Sequence, residues 1–399
     1  MSVWSIAPFE LEHAATEPEP GEALLLAAAR FEEATLARKP QAAEPAFPRA
    51  LIEAMGQRGL LAPKVGTLWA GLPSDGGADL RVVLAVLSAI GRIDLSLGRL
   101  YEGHLNALHL IGRFGTDEQR VRAAADARAG LLFGVWNTDA ERGVRLERLG
   151  PGRWRLAGGK VFASGVGHVP RPLISAAWPH GGGRQLVLLE LGDVADRIER
   201  GSWRPMGMEG SASFAVDLDG IEVDAAMLVG APDDYARQPW FGAGAIRFVA
   251  VQLGGAQRIL DIARADLVAR RRFEDPYQIA RVAEMAIVLE SGAGWLARAA
   301  AVLDDFEPHD EHGVETVVAY AAMARCAIER ICLEVMEGAV RSVGMSGLLR
   351  PHPLERSVRD LTLYLRQPGP DAALAAVGRH VLAADRPVGQ LWSKCAGDG

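Results

Sequence analysis

The apolar residues of this 399-residue chain follow a helical period at both ends and a strand pattern in the middle. From about residue 20 to 128, Ala- and Leu-rich segments such as Leu80 to Ile93 repeat with the period of about 3.6 residues that an amphipathic helix requires. From about residue 130 to 230, short runs such as Gln185 to Glu190 lie between glycine turns. Long helical segments return from about residue 240, and the one from Gly313 to Ser342 contains no proline.

This order of patterns predicts a mainly α fold with one β domain. We expect an N-terminal α-helical domain over residues 1–129, a small β-barrel or sandwich over residues 130–235, and a C-terminal four-helix bundle over residues 236–399. A β module between two helical parts is an unusual order, and it therefore leaves few candidate folds.

The composition argues against several classes of protein. The chain is 49% hydrophobic and 23% charged, which is typical of a globular protein, and its net charge of -7 argues against a general nucleic-acid binder. Cys326, Cys332 and Cys395 follow neither a metal-ligand nor a disulfide spacing. Apolar runs such as Leu24 to Ala29 are too short to span a bilayer, and no signal-peptide pattern opens the chain. We expect a cytoplasmic protein that binds neither nucleic acid nor membrane and holds no metal.

Several short segments are informative about the fold, because they follow one another in a particular order along the chain. They are Phe47 to Pro63, Leu100 to Leu105, Gly158 to Gly165, Met206 to Ser213, Arg270 to Phe273 and Pro353 to Asp360. Their residues and their order resemble the acyl-CoA dehydrogenase superfamily of flavoproteins, and the resemblance covers nearly the whole chain. It implies an acyl-CoA dehydrogenase-like fold, FAD as the cofactor, and assembly into a homodimer or homotetramer.

The resemblance also implies how the flavin is held. Phe162 would pack on the isoalloxazine ring, and the hydroxyl or backbone N–H of Ser164 would reach N5 of the flavin. Arg270 and Phe273 match positions that hold the pyrophosphate and the adenine, often across a subunit interface. Without the resemblance, other interpretations stay open. Phe162 is then a core aromatic residue, Ser164 a turn residue, and Arg270 and Phe273 part of a solvated helix end.

Four further residues are candidate cofactor contacts at positions where this chain departs from the family. Trp136 and Thr138 lie where the family has threonine and proline around a glutamate, so that Trp136 either stacks near the flavin or fills the core. Arg341 and Gly344 lie where the family has a glutamine and glycines on the adenine side. Arg341 is a departure from that pattern.

The chain lacks a glutamate at the place where most of the family carries the catalytic base. That place falls at Pro368, which cannot take a proton. Asp371 is a weak substitute because it lies where a first helical turn is expected. Glu102 matches a residue on the floor of the family's acyl cavity, and it is either an unusual base, a chain-length stop or a hydrogen-bonded core acid. Arg247 either faces an acyl or carboxylate group of the substrate or supports an ion pair.

Three functions are compatible with these residues. The leading one is α,β-dehydrogenation of an acyl thioester, carried by coenzyme A or a carrier protein, with a relocated base and an electron-transfer flavoprotein as partner. The second is a flavin-dependent monooxygenase of the same fold, which takes reduced flavin from a flavin reductase and needs no α-proton base. The third is a non-catalytic paralogue that binds a thioester or a partner. The proline at residue 368 favours the second and third.

Overall fold

The computed structural model describes residues 19–37, 46–63, 80–304, 311–367 and 369–392. Its N-terminal part consists of helices α1 (Pro20–Leu36), α2 (Arg49–Gln57), α3 (Leu80–Ile93), α4 (Leu95–Phe114) and α5 (Asp117–Arg128). Polar caps determine where α4 and α5 begin. Asp94 accepts a hydrogen bond from the N–H of Leu97 at 2.8 Å, and Thr116 and Gln119 form a reciprocal capping box.

The middle part of the chain forms two β-sheets. Its strands are β1 (Phe133–Trp136), β2 (Arg145–Gly150), β3 (Arg153–Ala157), β4 (Gly159–Lys160), β5 (Arg171–Ala177), β6 (Arg184–Leu188), β7 (Ile198–Glu199), β8 (Ala215–Asp217), β9 (Glu222–Asp224) and β10 (Leu228–Val229). The seven-stranded sheet has the order β10, β6, β5, β2, β3, β9, and β1 pairs with β5 in parallel. β4, β8 and β7 form the three-stranded sheet, and β4 leads directly into the segment that carries Phe162 and Ser164.

The C-terminal part is helical again. It contains α6 (Trp240–Ala243), α7 (Ala245–Ala269), α8 (Pro276–Asp304), α9 (Glu311–Val343), α10 (Pro353–Tyr364) and α11 (Pro370–Ala383). α7 packs against α8 and α9, and α9 also packs against α8 and α11. α7 in turn lies against α3 of the N-terminal part, where a Cβ at Gly91 or Gly254 would overlap the backbone of the facing helix. Glycine at these two positions therefore permits the close approach of α3 and α7.

The predicted fold class is confirmed: a helical N-terminal part, a middle β part and a helical C-terminal part in that order. The boundaries predicted at residues 129 and 235 fall between α5 and β1 and between β10 and α6. Among the described helices, α8 is long and apolar enough to cross a membrane by length and composition, and 33% of its most apolar window is buried.

Candidate functional site

A cavity of about 650 Å³ lies where the β part meets α4, α7 and α10. This volume is within the range of small-molecule and cofactor sites. The β part contributes Val135, Asn137, Thr138, Phe162, Ser164, Trp203, Met208, Ser211 and Ser213 to its wall. The helical side contributes, among others, Arg99, Glu102, Asn106, Tyr235, Arg247, Phe248, Leu363 and Tyr364.

Phe162 and Ser164 both line this cavity, and their contacts with the flavin remain predictions. Phe162 has a φ of 54°, in the left-handed region that non-glycine residues rarely adopt, and its side chain is 59% exposed. It therefore does not belong to the core of the β part. Its ring meets the ring of Trp203 edge to face, with the centroids 6.3 Å apart. Together the two rings form an aromatic wall on one side of the cavity.

A row of three serines forms a polar edge beside that wall. The hydroxyls of Ser164 and Ser213 are 2.9 Å apart, and those of Ser213 and Ser211 are 2.8 Å apart. Each hydroxyl can act as a donor or an acceptor, so the row can adjust to either kind of group on a ligand. The indole N–H of Trp203 is buried at the same wall and makes no hydrogen bond among the described residues.

Burial favours the core interpretation of Trp136, and its contact with the flavin remains a prediction. Its side chain is 1% exposed and is not among the described residues that line the cavity. Its indole N–H donates to the carbonyl oxygen of Ser164 at 3.0 Å. Trp136 is therefore a core residue that supports the cavity wall from behind, whereas Thr138, two residues later, lines the cavity itself.

A buried lysine holds the turn after β1 in place. Lys160 is fully buried, and its ammonium donates to the carbonyl of Asn137 at 2.9 Å and to Oδ1 of Asp139 at 2.6 Å. Burial lowers the pKa of Lys160 to about 8, against the opposing effect of Asp139. Because Asn137 lines the cavity, this network fixes the backbone at that point of the wall.

The loop that carries Met208 is anchored by α10. Met208 has a φ of 63°, and its backbone N–H donates to Oδ1 of Asp360 at 2.6 Å. Burial raises the pKa of Asp360 to about 6. Asp360 ends the segment from Pro353 to Asp360 that the sequence analysis singled out. Through its hydrogen bond to the backbone of Met208, this segment supports the cavity wall.

The floor of the cavity is charged. Arg99, Glu102 and Asn106 lie on one face of α4, because they are three and four residues apart. The carboxylate of Glu102 accepts from Arg99 at 2.6 Å, and its other oxygen lies 3.7 Å from Nε of Arg247 on α7. Arg247 also donates to the side-chain oxygen of Asn106 at 2.6 Å. Glu102 and Arg247 are each only 5% exposed, so this ion-pair network is buried.

Two tyrosines complete the floor, and the sequence did not indicate either of them. Tyr364, at the end of α10, is 3% exposed, and its hydroxyl makes no hydrogen bond within the described part of the chain. Burial and the charge of Glu102 raise its pKa. Burial and Glu102 likewise raise the pKa of Tyr235 to about 12. Both phenols therefore remain protonated hydrogen-bond donors near neutral pH.

The remaining predicted site residues lie elsewhere. Arg270 pairs with Asp266 at 3.0 Å and donates to the hydroxyl of Ser346 at 2.8 Å, whereas Arg341 pairs with Glu337 at 3.4 Å. Phe273 is 54% exposed, and Gly344, with a φ of 79°, follows α9 directly. None of Arg270, Phe273, Arg341 and Gly344 is among the described residues that line the cavity, and their contacts with the flavin remain predictions.

Among the residues that the structure describes, no candidate for a relocated base is a free carboxylate in the cavity. Asp371 is exposed in the first turn of α11 and is not among the described lining residues. Pro368 lies outside the described residues, although its neighbour Gln367 lines the cavity. The backbone carbonyl of Gln367 accepts a hydrogen bond from Arg325 at 2.8 Å.

Two family models match the chain. The acyl-CoA dehydrogenase N-terminal domain matches residues 19–130, and the acyl-CoA dehydrogenase C-terminal domain matches residues 234–393. The chain belongs to the acyl-CoA dehydrogenase superfamily. Members of this superfamily include flavin-dependent dehydrogenases and monooxygenases, and its fold binds flavin.

Individual relatives of both kinds are similar to this superfamily member. Mitochondrial isobutyryl-CoA dehydrogenase of Dictyostelium discoideum is 31% identical over 147 residues, which is 36% of this chain and only 34% of the relative. Dibenzothiophene monooxygenase of Mycolicibacterium goodii is 23% identical over 349 residues, which is 78% of this chain and 83% of the relative. The FMN-bound structure of TdsC from Paenibacillus sp. A11-2 superposes with a TM-score of 0.78 at 20% identity, covering 94% of this chain and 100% of that one.

Proposed function

We propose that this protein is a flavin-dependent monooxygenase that uses reduced flavin supplied by a separate reductase. The observation that carries the proposal is the state of Glu102. It is the only acid among the described residues that line the cavity, and Arg99 and Arg247 hold its two oxygens. Dehydrogenation of an acyl thioester needs a carboxylate that is free to take an α-proton, whereas oxygen transfer does not. The geometry thus favours the second of the three functions considered from the sequence.

The cavity fits an isoalloxazine ring. Phe162 and Trp203 offer aromatic faces, and the row formed by Ser164, Ser213 and Ser211 offers hydroxyl groups along one edge. The buried indole N–H of Trp203 makes no hydrogen bond among the described residues, and a carbonyl or ring nitrogen of a ligand would satisfy it. The similarity to a dibenzothiophene monooxygenase over most of both chains also supports the proposal.

A reduced flavin supplies the electrons and the oxygen-activating chemistry of such a reaction. One reduced flavin, one O₂ and one substrate molecule give the oxygenated substrate, oxidised flavin and water. The residues of this chain would orient the substrate and exclude water, because solvent that reaches the site lets the activated oxygen leave as hydrogen peroxide, which consumes the electrons without oxidising the substrate. Met208, Phe248 and Leu363 supply the apolar part of the lining that serves this purpose.

Flavin binding and reactivity test the proposal directly. The purified protein would be titrated anaerobically with FMN and FAD, each in its oxidised and its reduced form. We expect the reduced form to bind at least about 10-fold more tightly, a difference of about 1.4 kcal/mol, and oxygen to reoxidise it. We also expect isobutyryl-CoA and octanoyl-CoA to leave the absorbance of the oxidised flavin unchanged.

Two outcomes would overturn the proposal. Bleaching of the oxidised flavin by either acyl-CoA in the absence of oxygen would establish dehydrogenation, and with it a base outside the described residues. Failure of both reduced flavins to bind would leave the non-catalytic paralogue.

A further inference from the structure

The floor of the cavity is unsuited to a long apolar acyl chain. Such a chain would have to displace or cover Glu102, Arg247 and Asn106, which are linked by an ion pair and a hydrogen bond. Covering a buried charged network with methylene groups alone is unfavourable, because such groups offer it no polar contact. The substrate must therefore bring a polar group to this end of the cavity.

The charge of the lining indicates the sign of that group. Glu102 is the only acid among the described lining residues, whereas Arg99 and Arg247 both line the cavity beside it. Arg366, also in the lining, pairs with Glu329. At the floor itself, the guanidinium groups of Arg99 and Arg247 share a single carboxylate. A buried excess of positive charge is costly unless an anion compensates it. The floor thus has the electrostatics of an anion site.

A second, independent feature points to an acceptor group on the ligand. Tyr364 lines the cavity, and its hydroxyl is buried and makes no hydrogen bond among the described residues. Because its pKa is raised by burial and by Glu102, this hydroxyl keeps its proton and can only be satisfied fully by an acceptor. Tyr235 lines the same cavity.

We propose that the substrate is a compact organic carboxylate whose anionic group binds at the floor, between the guanidinium of Arg247 and the hydroxyl of Tyr364. The part of the molecule that is oxidised then extends toward Phe162 and Ser164, which the β part contributes to the same cavity. This assignment rests on the proposed monooxygenase function and names the class of its substrate. Charge-assisted hydrogen bonds of this kind are about twice as strong as neutral ones, so the anion contributes to selection as well as to orientation.

A pair of isosteric probes tests the charge requirement. Benzoate and benzamide have nearly the same shape, and only benzoate is an anion. Calorimetric titration of the full-length protein with saturating oxidised FMN should show benzoate binding at least about 10-fold more tightly than benzamide. Equal affinities, or preference for benzamide, would overturn the proposal.

Matched variants locate the binding group. Arg247→Gln should abolish the preference for benzoate, and Tyr364→Phe should weaken benzoate binding about 5-fold while leaving benzamide nearly unchanged. Arg264→Gln is the control, because Arg264 lies on the same helix with its side chain 69% exposed. An equal loss in Arg264→Gln would show a non-specific effect of charge and would overturn the assignment.

The test remains decisive if Arg247→Gln fails to fold, because Tyr364→Phe removes a hydroxyl that makes no hydrogen bond among the described residues. Circular dichroism and thermal melting identify that case. Benzoate binding is measured without turnover. A failure of the proposed substrate class is therefore distinguishable from a failure of the proposed monooxygenase function. Reoxidation of reduced flavin without benzoate binding would contradict only the substrate class.

Discussion

At the scale of single residues, Ser164 has two separate roles in the cavity wall. Its carbonyl oxygen accepts from the indole of Trp136 behind the wall, and its hydroxyl pairs with Ser213 along the polar edge. The backbone contact fixes the position of the residue, and the hydroxyl is left to interact with a ligand. Removing only the hydroxyl should therefore affect binding without disturbing the wall.

We predict that Ser164→Ala weakens flavin binding by about 2- to 10-fold, the value of one hydrogen bond of about 0.5–1.5 kcal/mol. Fluorescence titration with FMN and FAD measures this change. Ser357→Ala is the control, because the hydroxyl of Ser357 is bonded only within α10, to the carbonyl of Pro353. Unchanged flavin affinity in Ser164→Ala would argue against the placement of the flavin at this edge.

The sequence could indicate residues that lie close together along the chain, but not contacts between distant segments. Phe162 and Ser164 were found through one motif, and both line the cavity. The two interpretations of Trp136 could not be separated, because its position depends on a hydrogen bond to a residue 28 positions away. Arg247 and Glu102 were noted separately, and only the packing of α7 against α4 shows that they form one network.

At the scale of elements, the long helices were predictable and the short elements were not. The predicted helix from Gly313 to Ser342 corresponds to α9, which runs from Glu311 to Val343. α10 was not predicted as a helix, because the prolines at residues 351 and 353 were interpreted as marking a connection, although its 12 residues are amphipathic. The two-residue strands β4, β7 and β10 are too short for alternation to reveal them.

His104 joins three of these elements at one point. The N–H of Phe133, at the start of β1, donates to Nδ1 at 3.0 Å, so the ring proton resides on Nε2. Nε2 donates in turn to the carbonyl of Leu61 at 2.7 Å. Burial lowers the pKa of His104 from its ordinary value of 6.5 to about 4. The neutral imidazole thus links α4 to the segment after α2 and to β1.

This linkage should make stability depend on pH. Between pH 6.5 and 4 the unfolded chain protonates His104 and the folded protein does not, so the free energy of unfolding falls with pH in that window. From pH 7 to 5 this residue alone should remove about 2 kcal/mol. His104→Gln keeps one donor and one acceptor but cannot titrate, and it should lose about 2 kcal/mol less over the same interval.

Urea unfolding at pH 7 and pH 5, followed by tryptophan fluorescence, measures the difference. His180→Gln, at an exposed histidine, should lose as much stability as the unmodified protein. An identical loss in His104→Gln would show that His104 is not the group responsible.

At the scale of the whole molecule, α8 presents an apolar surface that the described residues do not cover. Tyr277, Ile279 and Ile287 are 75%, 54% and 69% exposed on it. The length and composition of α8 would also permit a membrane span. However, Glu284 and Glu290 are exposed on the same helix, and charged side chains are costly in contact with lipid. A mixed surface of this kind is more typical of an interface between protein chains.

We expect that this surface is covered by a second copy of the chain, as the family resemblance implies. Sedimentation velocity should then give a mass two or four times that of one chain. Ile287→Asp places a charge in the apolar part of the contact, where an unpaired buried carboxylate costs several kcal/mol, and it should shift the protein to smaller species. Val121→Asp introduces the same charge at a 71% exposed valine on α5, away from the bundle, and should leave the assembly intact. A single-chain mass for the unmodified protein, or an unchanged mass for Ile287→Asp, would exclude α8 as the interface, and with it any contribution of a second copy through this face.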